Sequence, residues 1–160
     1  MATESNKNRV AYEFNPFTKT KTKKPENSRD ARAAKREIAD FVKESVLDFA
    51  GEGKSPVQGG KWKRSLSKEY RDRKGEFSSV DFSNLELEGE MLDSMVARVS
   101  GDKIILEIKG DQAGKADGNN RGSYGKSPDD KKAREFIPKR GQELKRSIMK
   151  EVKKIIEDFS

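Results

Sequence analysis

The sequence predicts an α+β fold in which a small antiparallel sheet is packed by a long N-terminal helix and a C-terminal helix. Three observations carry this. Apolar residues recur at helical spacing over about residues 30–50, they do so again over about 141–159, and two β-type runs meet at Gly101-Asp102 within about 95–109. A length of 160 residues suits one domain, but only 31% of them are apolar and 39% are charged, with a mean hydropathy of -1.02. So lean a composition implies that part of the chain stays outside the domain and orders on a partner.

Residues 1–27 read as an extended basic arm, set apart from a single α+β domain over 28–160. Their net charge is +3, Pro16 and Pro25 favour extended backbone, and the Thr/Lys run that holds Lys19, Lys21, Lys23 and Lys24 has nothing to bury. Tyr12, Phe14 and Phe17 are more aromatic surface than a linker needs. Either they pack back on their own domain or they anchor the arm on a neighbouring subunit.

The first helix follows from Ser28 or Asp30 as N-cap, an alanine-rich first part, and Ile38, Phe41, Val42, Val46 and Phe49 on one face before Gly51. After a Gly/Ser/Pro loop, Trp62, Leu66 and Tyr70 stand at intervals of four on a short helix whose other faces carry Lys63, Arg64, Lys68 and Arg71. Trp62 and Tyr70 cover the core or meet another subunit. Lys63 and Arg64 lie in water, or face an acidic protein surface or phosphates.

Met95–Ser100 and Lys103–Lys109 then form the hairpin, with Ile104, Leu106 and Ile108 on its buried face. Residues 110–132 are a polar, glycine-rich loop. Phe136-Ile137-Pro138 resumes apolar character, and Leu144, Ile148, Val152, Ile155 or Ile156, and Phe159 stripe the last helix.

The chain contains no Cys and no His, which removes disulfides, Cys/His zinc sites, thiol nucleophiles and every imidazole-dependent acid–base scheme. One pattern suggests an enzyme. Asp93 upstream of Glu107-Ile108-Lys109 is how restriction-like nucleases place carboxylates for Mg²⁺ and a lysine for the charged transition state. Yet acid-x-Lys occurs seven times in this charged chain, and on a hairpin Glu107 and Lys109 are also the expected solvent face. Gly125-Lys126-Ser127 ends like a phosphate loop, but no apolar strand precedes it and Pro128 follows. No catalytic, cofactor or metal constellation emerges. Aromatic side chains, basic faces and long polar segments are the equipment of a protein that binds other subunits.

The segments GGKWKRSLSKEYRDRKG, NLELEGEMLDSMVARV and REFIPKRGQELKRSIMKEVKKIIEDF, in that order over about residues 28–159, resemble the tailed-phage neck or tail-completion (virion morphogenesis) proteins. Leu85, Gly89, Met91 and Ser94 match the family segment that leads into a hairpin. Arg134, Phe136, Ile137 and Pro138 match the turn before its last helix. The resemblance implies a non-enzymatic structural protein of the virion, a homo-oligomeric ring between portal and tail. Its neighbours would be the portal or adaptor and the tail terminator or tail tube, with genomic DNA in the channel.

On that reading Tyr12, Phe14, Phe17, Trp62, Tyr70 and Phe136 are subunit-interface candidates. Lys19, Lys21, Lys23, Lys24, Lys63 and Arg64 are candidates to face an acidic partner or DNA. The alternatives are the Mg²⁺-dependent nuclease and a sequence-nonspecific DNA-binding accessory protein. With no apolar run near 18 residues and no N-terminal apolar leader, the chain is expected to be soluble, made in the host cytoplasm and destined for the virion.

Overall fold

The computed structural model describes residues 3–5, 8–52, 54–57, 89–114, 116–117, 136–138 and 141–160. Strands β1 (Thr3–Ser5), β2 (Arg9–Phe14), β3 (Val96–Ser100) and β4 (Lys103–Lys109) form an antiparallel sheet in the order β1-β2-β4-β3. The helices are α1 (Pro16–Thr20), α2 (Ser28–Gly51), α3 (Gly89–Asp93) and α4 (Arg146–Asp158). The α+β class, the hairpin and both long helices are as the sequence predicts.

The basic arm is not an arm. Residues 9–14 are an interior strand, paired with β4 through Val10↔Ile108, Tyr12↔Leu106 and Phe14↔Ile104. β1 extends the sheet on their other side. Side chains alternate across a strand, so Val10, Tyr12 and Phe14 share the buried face with Ile104, Leu106 and Ile108. Tyr12 and Phe14 stack at 5.6 Å between ring centroids. Phe17 joins the same core from α1, which Asn15 caps by accepting hydrogen bonds from the Phe17 and Thr18 amides. Lys21 ends α1 in the left-handed region, with φ of 54°. These aromatics therefore pack on their own domain, and residues 1–27 are not a separate unit.

α2 begins one residue earlier than a Ser28 cap would start it. Asn27, rather than Ser28 or Asp30, caps it, accepting from the amides of Arg29 (2.8 Å) and Asp30 (3.2 Å). Ile38, Val42 and Val46 are fully buried, and Phe41 and Phe49 sit half-buried at the margins of that stripe. The hairpin turn has positive φ at Gly101 and not at Asp102, the sign pattern of a type II′ turn, which places glycine first.

α4 starts at Arg146 rather than near Gly141. Gly141 turns with φ of 84°, Leu144 forms a β-bridge with Val57, and the Lys145 amide donates to the Pro56 carbonyl at 2.8 Å. Those contacts hold Leu144 and Lys145 out of the helix. Beyond them Ile148, Val152, Ile155 and Ile156 bury the predicted stripe. Phe136 and Ile137 also enter the core. No helix among the described residues is long and apolar enough to cross a membrane.

Because β2 lies inside the sheet, deleting residues 1–14 is expected to abolish cooperative unfolding, as followed by circular dichroism in urea. Phe14→Ala alone is expected to cost ~3–5 kcal/mol. A detachable arm would tolerate both changes.

Candidate functional site

The strand registers place Arg9, Ala11 and Glu13 of β2, Val96 and Arg98 of β3, and Lys103, Ile105, Glu107 and Lys109 of β4 on the sheet face away from the core. Ala11 and Ile105 are nevertheless buried on this face, whereas Val96 is half-exposed at 50%. On β2, β3 and β4 four cations here meet two carboxylates, so this part of the face is basic.

Glu107 organises it. Arg9 donates to Oε2 from Nε (3.0 Å) and Nη2 (2.8 Å), Arg98 Nε donates to Oε1 at 2.8 Å, and Lys109 Nζ lies 3.4 Å from Oε1. Glu107 is only 5% exposed, so the expectation that it faces solvent is corrected; Lys109 does face solvent. Burial by itself raises the carboxyl pKa. The hydrogen bonds and charges of Arg98 and Arg9 outweigh it and hold the group below the ordinary carboxylate range. Lys103 pairs with Glu13 at 3.2 Å on the same face.

A second set of ion pairs ties the hairpin tip to the helical layer. Lys24 Nζ lies 3.1 Å from Asp102 Oδ2, while Lys35 Nζ donates to Asp102 Oδ1 (3.2 Å) and to the Gly101 carbonyl (2.7 Å). The hydrogen bond from Lys24, assisted by Lys35, lowers the Asp102 pKa against a smaller opposing effect of burial.

The residues singled out in the sequence fall in different places. Tyr12, Phe14, Phe17 and Phe136 are interior and pack within their own domain. Lys19 pairs with Glu143, Lys23 with Glu26 at 2.8 Å and Lys24 with Asp102, while Lys21 is exposed at the end of α1. The Thr/Lys run is thus stitched to the domain rather than held out as a cationic tail. Trp62, Tyr70, Lys63 and Arg64 lie outside the described residues.

For metal-dependent hydrolysis the carboxylate at Glu107 would need free oxygens, and both are engaged by cationic nitrogens. Asp93 is exposed at the end of α3. Among the described residues, no three His, Cys, Asp or Glu side chains are grouped to hold a metal ion.

Sequence reasoning missed Arg9, Arg98 and Lys103 as one surface. The available signal was alternation: in both hairpin strands the charged positions fall opposite the apolar ones. Compared with known proteins, the chain matches no family model, no curated protein and no solved structure.

Both perturbed carboxyls have folded pKa values below their unfolded ones. Their contribution is complete above the unfolded values, at about pH 4, and is lost as pH falls through the folded values. Urea midpoints are therefore expected to hold from neutral pH to about 5 and to drop on further acidification. Glu107→Gln is expected to cost ~1–3 kcal/mol at pH 7 and to shrink that acid drop.

Proposed function

We propose that the protein is a structural subunit of the head-tail junction of a tailed phage, a neck or tail-completion protein that acts by packing in a homo-oligomeric ring. The observation that carries this is the work done by the resemblance residues that lie among the described ones. Gly89 opens α3, Met91 is fully buried, and the Ser94 hydroxyl donates to the Met91 carbonyl at 2.7 Å just before β3 begins. Phe136, Ile137 and Pro138 are buried as well. Residues that close a helix, launch a hairpin and fill a core have structural roles, and that supports a reading in which the protein acts by packing.

On this reading the portal or adaptor lies on one side of the ring and the tail terminator or tail tube on the other, and the protein resides in the virion. The basic sheet face is a ready contact surface. Its guanidinium and ammonium groups offer an acidic neighbour charge-assisted hydrogen bonds, and Val96 adds apolar area at its edge. Immunogold labelling of purified particles tests the assignment. Label at the neck is the expected result, and its absence from virions would sink the proposal.

The same face favours one other reading, that of a sequence-nonspecific DNA-binding accessory protein. A contact of this kind neutralises phosphates and releases counterions, so log affinity would fall steeply with log salt concentration. The double substitution Lys103→Ala/Lys109→Ala discriminates between the readings. Both side chains are more than half exposed, so stability is expected to change by no more than ~1 kcal/mol. For a junction subunit, incorporation into particles falls while affinity for DNA in a filter-binding assay stays negligible in both proteins. For the accessory protein, wild-type affinity is measurable and the salt slope decreases in the variant.

A further inference from the structure

The exposed surface of α2 carries a ridge of negative charge. Asp40, Glu44 and Asp48 follow one another at intervals of four, all are exposed, and Glu37 flanks them. Of these carboxylates only Asp40 is in an ion pair, 3.5 Å from Arg36, and both side chains of that pair are more than half exposed. Such a pair contributes little. α4 carries the opposite sign at the same spacing. Arg146, Lys150 and Lys154 are exposed, Lys153 flanks them, and none of the four makes an ion pair. Glu157 and Asp158 follow Lys153 and Lys154 by four residues, but a base ahead of an acid is the weaker order for a helical pair, and neither pair forms.

Elsewhere the chain spends its cations on its own carboxylates, as Lys19 does with Glu143, and Lys24 and Lys35 with Asp102. The two ridges do not serve each other within one subunit. Ile38 and Val42 of α2 share a core with Ile148 and Val152 of α4, and each ridge lies on the side of its helix away from that core. The charges also run against the helices that carry them. Arg146 stands in the first turn of α4 and Asp48 in the last turn of α2, where each opposes the local dipole. Local stability therefore does not account for their placement.

We propose that copies of this chain associate by laying the acidic α2 ridge of one against the basic α4 ridge of another. In an antiparallel register Asp48 meets Arg146, Glu44 meets Lys150 and Asp40 meets Lys154, over ~12 Å of each helix. That register also sets the negative end of the α2 dipole beside the positive end of α4, so charges that are unfavourable in the free subunit gain partners. Phe41 and Leu47 flank the acidic ridge and Met149 the basic one, and these half-buried side chains add apolar surface to the contact. A second copy fits better than a nucleic acid, because Glu157 and Asp158 would repel phosphates along the same helix while α2 supplies carboxylates at the matching interval. Every copy offers one ridge of each sign, so contacts run head to tail, the connectivity that a closed ring requires. The inference rests on the homo-oligomeric reading above and names its contact.

The test is self-association of the full chain at low salt, followed by sedimentation velocity over a range of concentrations. Zero-length carbodiimide cross-linking of an equimolar mixture of isotopically labelled and unlabelled protein reads the contact itself. Cross-links from Lys150 to Glu44 and from Lys154 to Asp40 are expected between labelled and unlabelled copies, and they fade as salt is raised. The variants Lys150→Glu/Lys154→Glu and Asp40→Lys/Glu44→Lys alter exposed side chains, and circular dichroism checks that each retains its fold. Each alone is expected to self-associate at least about tenfold more weakly than wild type. An equimolar mixture of the two is expected to regain association, since each reversed ridge then meets its complement. A wild-type chain that stays monomeric or forms no such cross-links, a variant that associates as tightly as wild type, or a mixture that regains nothing would overturn the inference. None of those outcomes decides whether particles label at the neck, so the contact and the junction assignment fail separately.

Discussion

The pairing of β2 with β4 is the constraint on which the other contacts depend. It joins residues 9–14 to residues 104–109 across about nine-tenths of a hundred positions of intervening chain, so it forms only at the cost of closing a very long loop. Once formed, it puts a strand inside the sheet rather than at its edge. The core face then carries Val10, Tyr12 and Phe14 against Ile104, Leu106 and Ile108, and α2 and α4 close over that surface. A slip of one residue would turn every one of those side chains to the opposite face.

Glu107 reads that register from the other side. With Arg9 on β2 and Arg98 on β3 both donating to it, one carboxylate is satisfied only when three strands are aligned as observed. Breaking such a set leaves a largely buried charge without its partners, which is far costlier than the modest net gain from forming it. The pairs of Asp102 with Lys24 and Lys35 act in the same way at the hairpin tip, where they tie it to α2 and to the segment before α2. In a chain with few apolar residues, long basic side chains are thus used internally as fasteners. The net charge of the sequence overstates how much of it is free to meet a partner.

How far the fold was legible follows from the range of the interactions involved. Helix α2 and the β3–β4 hairpin are made by neighbours in sequence: Ile38, Val42 and Val46 repeat at helical spacing, and Gly101-Asp102 joins two runs that pair with each other. Both were visible in the chain. Val10, Tyr12 and Phe14 also alternate, but their partner strand lies far downstream, and without it three alternating residues beside Pro16 and a Thr/Lys run resemble a loose segment. The start of α4 was misplaced for a related reason, since the bridge from Leu144 to Val57 holds the backbone extended where the local pattern already permits helix.

The candidate surfaces divide along the same line. The sequence by itself determined the absence of thiol and imidazole chemistry, the positive charge, the two amphipathic helices and the hairpin, because each depends on composition or on spacing within a few residues. Only the tertiary structure decided that Arg9, Arg98 and Glu107 share one face and that Lys19 and Lys24 are committed to ion pairs. Those juxtapositions join strands and helices far apart in the chain, and nothing in local periodicity encodes which distant side chain completes a charge.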